Sequence, residues 1–244
     1  MTLGGIVMAA SALGSCTRPD NWQTASREPL GIAPDPAVVR EAVVQVYAAR
    51  ARGWRGTFGV HTWVATKPTG AANFSVYEVI GWRTLRGQPS VAVSNRAPDS
   101  RWFGAPPEIL ADIRGEGVDD VIQRIDAAVT TYPYNDEYVI WPGPNSNTFV
   151  AYLGRAAPEL KLELPPTAIG KDYLPNGSVF EKTPSGTGYQ LSFFGLFGVM
   201  AGPEEGFELN LLGLTFGVDF ADPAIKLPLI GRLGRAKAGS TIES

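Results

Sequence analysis

Two strand-like runs joined by a short turn constrain the fold of this chain more than any other feature. Residues 57–66 (TFGVHTWVAT) and 74–82 (FSVYEVIGW) are rich in β-branched and aromatic residues, which favour extended strands. Residues 67–70 (KPTG) between them have the composition of a turn. The pattern therefore predicts an antiparallel hairpin, in which alternation places Glu78 on the same face as Val76.

The rest of the chain predicts an α+β fold, an antiparallel sheet with packed helices, in a single domain over residues 37–234. The 28 glycine and 20 proline residues indicate many turns and favour strands over a helical bundle. Apolar residues at helical spacing predict helices at residues 118–131 and from residue 147 to the residue before Pro158. Further strands are predicted at residues 89–95, 108–114 and 138–141, and within residues 41–49 after a short helical turn.

Two apolar arms near the C-terminus, residues 191–200 and 207–220, flank the sequence GPEEG at residues 202–206. Each arm is shorter than a membrane-spanning helix and two carboxylates separate them, so we interpret the pair as one strand hairpin. Alternate apolar residues of the second arm line one face. That face either completes the core, which is the interpretation we favour, or forms an exposed apolar surface near a bilayer.

Residues 1–16 resemble a signal peptide or a bacterial lipoprotein leader. They are small, apolar and uncharged, and the ending Leu-Gly-Ser-Cys is similar to a lipobox, whose cysteine, here Cys16, is lipidated and becomes the mature N-terminus. The leader predicts a protein anchored to the membrane of the bacterial cell envelope and facing the periplasm. No basic residue precedes the apolar run, and the alternative is a buried segment with an incidental cysteine. Residues 17–36 are predicted to be a tether, and residues 235–244 a flexible tail.

Charge and residue counts exclude several classes of function. A formal net charge of −3 with scattered arginines argues against nucleic-acid binding, because no basic stripe is available to contact phosphates. One histidine and one cysteine leave no cluster for zinc, although a site made of carboxylates alone stays open. The chain has no phosphate-binding loop with its lysine, no dinucleotide fingerprint and no nucleophile elbow, so we predict no cofactor.

The only histidine, His61, directs attention to residues 142–149 (PGPNSNTF), where a rigid turn runs into a helical pattern. A serine hydroxyl becomes nucleophilic only beside a base that titrates near neutral pH, and in this chain His61 alone fits that description. We therefore predict His61 as the base and Ser146 as the nucleophile. Asn145 or Asn147 would orient the imidazole or donate to an oxyanion at the start of the helix.

Glu78 is the candidate group that orients His61, because both lie on neighbouring strands of the predicted hairpin. A purely structural interpretation stands beside each assignment. Ser146 fits an N-cap of the helix, His61 fits a hydrogen-bonded core residue, and Glu78 fits a partner of an arginine or a residue that faces solvent.

Several segments resemble an uncharacterised bacterial family, domain of unknown function 3750. They are VHTWVATKP, YEVIGW, YPYNDEYVIWPGPNSNTF, PPTAIGKDYLP and SGTGYQLS, and the resemblance extends from about residue 21 to residue 234. It implies a family without an established activity.

The order of the candidate residues also resembles circularly permuted papain-like proteins of the lecithin:retinol acyltransferase type. There a strand histidine comes first, a polar residue follows on the next strand, and an Asn-Cys pair opens a helix. Here the order is His61, Glu78 and then Asn145-Ser146, with serine where those enzymes carry the nucleophilic cysteine. The resemblance implies a papain-like fold, and the serine puts activity in doubt because its hydroxyl is not ionised at neutral pH.

Two functional hypotheses follow. The first is an envelope-anchored hydrolase or acyltransferase with a Ser–His pair, acting on an amide or ester bond of an unidentified small-molecule, lipid or peptide substrate. The second is a non-catalytic binding or scaffold lipoprotein that uses the same fold.

Overall fold

The structure, a computed structural model, describes residue 21 and residues 23–234. Within these residues it contains two antiparallel β-sheets and four α-helices, so the predicted α+β fold is confirmed. The predictions for residues 1–16, including Cys16, and for residues 235–244 lie outside the described residues. None of the helices in the described part of the chain is long and apolar enough to cross a membrane.

The first sheet has five strands in the spatial order β4-β3-β2-β1-β5. The predicted hairpin lies at its centre, where β2 and β3 pair with Val64 opposite Tyr77. The strands are β1 (Val43–Arg50), β2 (Val60–Lys67), β3 (Ser75–Val79), β4 (Val91–Ser94) and β5 (Glu108–Arg114).

Two helices cover one face of this sheet, and two single-turn helices lie at its ends. The longer pair is α3 (Val118–Thr130) and α4 (Ser146–Ala156), and the single turns are α1 (Arg55–Phe58) and α2 (Gly81–Thr84). Helix α3 follows Gly117 and carries two aspartates in its first turn, where the helix dipole favours negative charge. It buries the apolar stripe that its sequence predicts.

Strands β1 and β2 are buried on both faces. Val44, Val46 and Val64 pack under α3 and α4, whereas Tyr47 and Trp63 belong to a second cluster on the opposite face. Side chains alternate along a strand, so sequence neighbours on β2 lie in different layers of the molecule. This alternation decides the geometry of the candidate site.

Part of the predicted tether lies against the loop that follows β4. Gly104 donates its backbone N–H to Ser26, and Leu30 donates to Asp99. The Asp99 carboxylate accepts from the backbone of Ile32 at 2.8 Å. Residues 26–33 are therefore hydrogen-bonded to the body of the protein.

The strand predicted at residues 138–141 is absent, so that prediction is wrong. The segment is irregular and ends at Pro142. The ring of Tyr138 lies against Gly81, and Trp141 Nε1 donates to the carbonyl of Leu212 at 3.1 Å. Side-chain packing, rather than strand pairing, holds these aromatic residues in place.

The second sheet is a seven-stranded meander in which each strand pairs with the next in sequence. Its strands are β6 (Phe180–Lys182), β7 (Tyr189–Phe193), β8 (Phe197–Gly202), β9 (Gly206–Leu211), β10 (Leu214–Asp219), β11 (Ala224–Leu227) and β12 (Gly231–Gly234).

As predicted, the two apolar arms meet in a strand hairpin at GPEEG, where β8 pairs with β9, but each arm also contains a turn of its own. The first arm turns at Phe194-Gly195 between β7 and β8, and the second turns at Leu212-Gly213 between β9 and β10. Both residues of each pair have positive φ. Such turns usually carry Asn-Gly or Asp-Gly, so a bulky apolar first residue conceals them in the sequence.

The faces of the second sheet are inverted relative to an ordinary globular sheet. Its inner face is polar and buried, and its outer face is apolar and exposed, so the prediction that the second arm completes the core is wrong. The buried inner residues include Gln190, Ser192, Glu208, Asn210, Thr215, Asp219 and Lys226. The exposed outer residues include Leu191, Phe193, Phe197, Val199, Phe207, Leu209, Leu211, Phe216 and Val218.

Buried ion pairs satisfy the charges on the inner face. Glu208 accepts from Lys171 and, at 2.8 Å, from Lys226, which also pairs with Glu163 at 2.5 Å. Burial opposes ionisation of Glu208, but the two ammonium charges outweigh it and lower the pKa of its carboxyl. This network joins the second sheet to the segments that precede it.

We expect Glu208→Gln to destabilise the protein strongly. The amide removes the charge between Lys171 and Lys226 without changing its size, and breaking a buried ion pair costs about 3–5 kcal/mol. Urea unfolding gives the free energy of unfolding.

The matched control for this substitution is Glu159→Gln. It removes the carboxylate from a half-exposed pair with Arg124 at 2.5 Å, where the loss should stay below about 1 kcal/mol. Equal losses in the two variants would contradict the role assigned to the buried network.

Candidate functional site

Helix α4 begins at the predicted junction, and its N-cap is Asn145. The Asn145 side-chain oxygen accepts from the backbone N–H groups of Asn147 at 2.9 Å and Thr148 at 3.3 Å. In return the Thr148 hydroxyl accepts from the backbone of Asn145, which completes a capping box. The Asn145 amide donates to the carbonyls of Ile140 and Ile169. Both the oxygen and the nitrogen of the Asn145 side-chain amide are thus engaged.

Asn147 ties the start of α4 to the first sheet. Its amide nitrogen donates to the carbonyls of Val60 at 3.1 Å and Ile169 at 2.8 Å. Its oxygen accepts from the Thr62 hydroxyl at 2.9 Å. The two amide hydrogens are therefore engaged by the protein itself.

Ser146 is the first residue of α4 rather than its cap. It is buried, and its carbonyl accepts from the Thr62 hydroxyl at 3.3 Å. The Ser146 hydroxyl makes no hydrogen bond to another described residue. The residue lies where α4 contacts β2, on the face of the sheet that the helices cover.

His61 lies on the opposite face of the same sheet. Its ring stacks on Trp102 with centroids 3.7 Å apart, and it also contacts Trp63. Its Nε2 lies 3.2 Å from Glu78 Oε2. Trp63 belongs to the cluster on the face away from α4, and Trp102 packs against that cluster.

The predicted site residues therefore form two separate groups. His61 and Glu78 lie together on one face, as the hairpin register allowed. Asn145, Ser146 and Asn147 lie together on the other, where Thr62, not His61, contacts them. No hydrogen bond joins His61 to Ser146.

Glu78 is shared between His61 and Arg96. Arg96 Nε donates to Glu78 Oε1 at 3.2 Å. Glu78 therefore has both of the partners considered for it, the histidine and an arginine. Burial raises the pKa of this carboxyl, but hydrogen bonds from His61 and the charge of Arg96 outweigh it and lower the pKa to about 2. Burial lowers the pKa of His61 despite the neighbouring carboxylate. The imidazole is therefore neutral at pH 7 and donates its Nε2 proton to an ionised Glu78.

Three residues in these groups carried no site signal in the sequence. Arg96, Trp102 and Thr62 lie in loop or strand positions without a motif, and each contributes through contacts that only the fold creates. A buried carboxylate calls for a cationic partner, but the sequence does not say which arginine supplies it.

Comparisons with known proteins give a family and no activity. A family model described as a protein of unknown function (DUF3750) matches residues 41–173, which include all five candidate residues of the two groups. No curated protein matches the chain. No solved structure matches it either, and the papain-like arrangement stays a prediction.

We expect the free energy of unfolding to fall as the pH drops from about 7.5 to 5.5. Burial holds the pKa of His61 below its usual value near 6.5, so in this range the unfolded chain binds more protons than the folded chain. The slope for one group reaches at most about 1.4 kcal/mol per pH unit. Urea unfolding at several pH values measures it.

His61→Gln should flatten this slope, because the chain has no other histidine. Ser146→Ala should leave it unchanged. A slope that persists in His61→Gln would mean that another group is responsible.

We also expect the two neighbours at the start of α4 to differ sharply in their effect on stability. Asn145→Ala removes the cap, leaves the carbonyl of Ile140 without its amide donor and leaves that of Ile169 with the Asn147 amide alone, which should cost about 2–4 kcal/mol. Ser146→Ala breaks no hydrogen bond to a described side chain and should cost about 0.5 kcal/mol or less. Thermal and urea unfolding of both variants test the difference, and equal losses would contradict it.

Proposed function

The chain belongs to the DUF3750 family of proteins of unknown function, and we propose that it acts by binding rather than by Ser–His catalysis. In this proposal it is a non-catalytic binding or scaffold protein of the bacterial cell envelope. The observation that carries the proposal is the position of His61 and Ser146 on opposite faces of β2.

A serine nucleophile needs its base within hydrogen-bond reach or across one water. The only histidine is stacked on Trp102 and hydrogen-bonded to Glu78, on the far side of a sheet whose central strands are buried on both faces. For the imidazole to reach Ser146, it would have to leave both partners and cross the strand. The contacts of His61 with Trp102 and Glu78 therefore argue against general-base catalysis by His61.

The donors that follow Ser146 at the start of α4 are already engaged within the protein. The backbone N–H groups of Asn147 and Thr148 donate to the Asn145 side chain, and that of Phe149 donates to the Asn145 carbonyl. The Asn145 and Asn147 amides donate to backbone carbonyls. These contacts support a structural role for the junction, in which polar side chains hold α4 on the sheet.

Attachment to the membrane through a lipid on Cys16, with the folded part facing the periplasm, belongs to the same proposal. Its support is the lipobox-like ending of the apolar leader. A scaffold of this kind needs no reactive group, only a fixed shape and a surface for its partner.

One experiment tests both parts of this proposal. The full chain is expressed in bacteria with its leader, treated with a serine-reactive fluorophosphonate probe, and analysed by intact-mass and peptide mass spectrometry. We expect an acylated Cys16 and no probe adduct on Ser146.

Ser146→Ala provides the baseline for the probe, and a known serine hydrolase shows that the probe is active. An adduct that maps to Ser146 and disappears in Ser146→Ala would support the hydrolase hypothesis instead. A chain that keeps Met1 and carries no acyl group would exclude the lipid anchor.

A further inference from the structure

The three hairpin turns at one end of the second sheet are entirely apolar. They are Phe194-Gly195 after β7, Leu212-Gly213 after β9, and Leu229-Ile230 after β11. Alternate connections of a meander lie at the same end, and a hydrogen bond from Gly213 N to Leu196 O joins the first two turns directly. We call these three turns the apolar tip. Phe194 and Leu212 are 65% and 53% exposed there.

The opposite end of the sheet has a different character. The turn between β8 and β9 carries Glu204 and Glu205, and the turn between β10 and β11 carries Asp222. The turns at one end of the sheet therefore contain no charged residue, although Arg50 of β1 donates to the carbonyl of Leu229 there, and the turns at the other end carry carboxylates, of which Glu205 is buried. This asymmetry favours an orientation in which the apolar end of the sheet faces a negatively charged or apolar surface.

The apolar tip has a backbone conformation that its bulky residues rarely adopt. Phe194, Leu212 and Leu229 have φ of 52°, 54° and 68°, in the left-handed region that bulky side chains rarely adopt. Asparagine or glycine would fit these positions without strain. Large apolar residues at locally unfavourable backbone positions are typical of functional surfaces, where the function compensates for the strain.

The tip continues into the apolar outer face of the sheet. Six aromatic residues on this face are about half exposed, namely Phe180, Tyr189, Phe193, Phe197, Phe207 and Phe216. Together they expose about 600 Å² before the aliphatic residues are counted. The largest apolar patch of a typical soluble monomer is about 300–600 Å² in total. An exposed apolar area of this size indicates a binding surface.

We propose that the apolar tip and the adjoining outer face bind the surface of a lipid bilayer, with the tip inserted among the headgroups and upper acyl chains. A protein partner would offer about one hydrogen bond per 100–200 Å² of interface, and this face has almost no side-chain groups to receive them. Acyl chains require none. Glu204 and Asp222, in the turns at the far end, then lie away from anionic headgroups.

This inference goes beyond the proposed function, because it rests neither on His61 and Ser146 nor on a lipid at Cys16. Apolar contact, rather than charge, provides the attraction. Binding should therefore occur on vesicles of pure phosphatidylcholine and change little with salt, unlike the binding of basic surfaces to anionic lipids.

Full-length protein with Cys16→Ser is the parent for the test, since it cannot be acylated and contains no other cysteine. Co-sedimentation with phosphatidylcholine vesicles measures its partition coefficient. The double variant Phe194→Asn with Leu212→Asn should lower that coefficient about tenfold or more, because two apolar side chains are lost from the bilayer. Its thermal midpoint should not fall, because asparagine accepts the left-handed backbone.

Phe220→Asn is the matched control. Phe220 is 75% exposed but lies in the turn after β10, at the acidic end, so this variant should bind vesicles like the parent. An equal loss in Phe220→Asn and in the double variant would overturn the assignment of the tip. Unchanged binding in the double variant, or no binding of the parent, would overturn it as well.

A local probe separates insertion of the tip from any contribution of the leader. In the cysteine-free parent, Leu212→Cys and Phe220→Cys are each labelled with a nitrobenzoxadiazole dye, whose fluorescence rises in an apolar medium. We expect vesicles to raise the fluorescence at residue 212 and not at residue 220.

The main competing occupant is a second copy of this chain. Sedimentation velocity without lipid reports it, and a dimer that Phe194→Asn with Leu212→Asn dissociates, combined with no fluorescence rise at residue 212, would overturn the lipid proposal in favour of self-association. None of these readouts depends on the reactivity of Ser146. The two proposals therefore fail independently.

Discussion

The rest of the structure depends on one short segment, Ile169 to Asp172, which holds the two sheets to each other. The carbonyls of Ile169 and Gly170 accept from the side chains of Asn145, Asn147 and Thr148 at the start of α4. The next two side chains turn to the second sheet, where Lys171 pairs with Glu208, and Asp172 accepts from Gln190 and Asn210. Gly170 has φ of 99°, and a Cβ there would overlap the Asn145 side chain. Both sheets are thus fixed through four consecutive residues.

This segment explains why the second sheet can turn its polar face inward. A buried carboxylate or ammonium without a partner is expensive, so an inverted sheet needs counter-charges from outside itself. Lys171, Asp172 and Glu163 supply them, and the paired amides satisfy the remaining oxygens. Polar contacts of this kind have defined directions, so they also fix the position of the sheet more narrowly than apolar packing would.

The sequence predicted the elements better than their faces. Period-two alternation located β2, β3 and the apolar arms, and helical spacing located α3 and α4. The same alternation fits a strand with either face inward, so nothing in residues 207–220 showed that the apolar side points to solvent. The turns at Phe194-Gly195 and Leu212-Gly213 were missed because neither has the usual Asn or Asp before its glycine.

The candidate site shows the same limit. The order of His61, Glu78 and Ser146 along the chain was compatible with one site, and the hairpin does bring His61 to Glu78. Whether His61 or Thr62 faces α4 depends on a shift of a single residue in the strand, which reverses every side chain and which composition does not report. The helix starts at Ser146, one residue before the predicted start, and its cap is Asn145, because the Asn145 side chain reaches two backbone N–H groups and two carbonyls at once.

The meander has a consequence for the order in which the protein assembles. Each strand of the second sheet pairs with its neighbour in sequence, so its backbone contacts are local and close quickly. Its inner face, however, stays charged until Glu163 and Lys171 are in place, and these residues leave the ribosome before the first strand of the sheet does. The direction of synthesis therefore presents the counter-charges first. A nascent chain can thus neutralise Glu208 and Lys226 as they emerge.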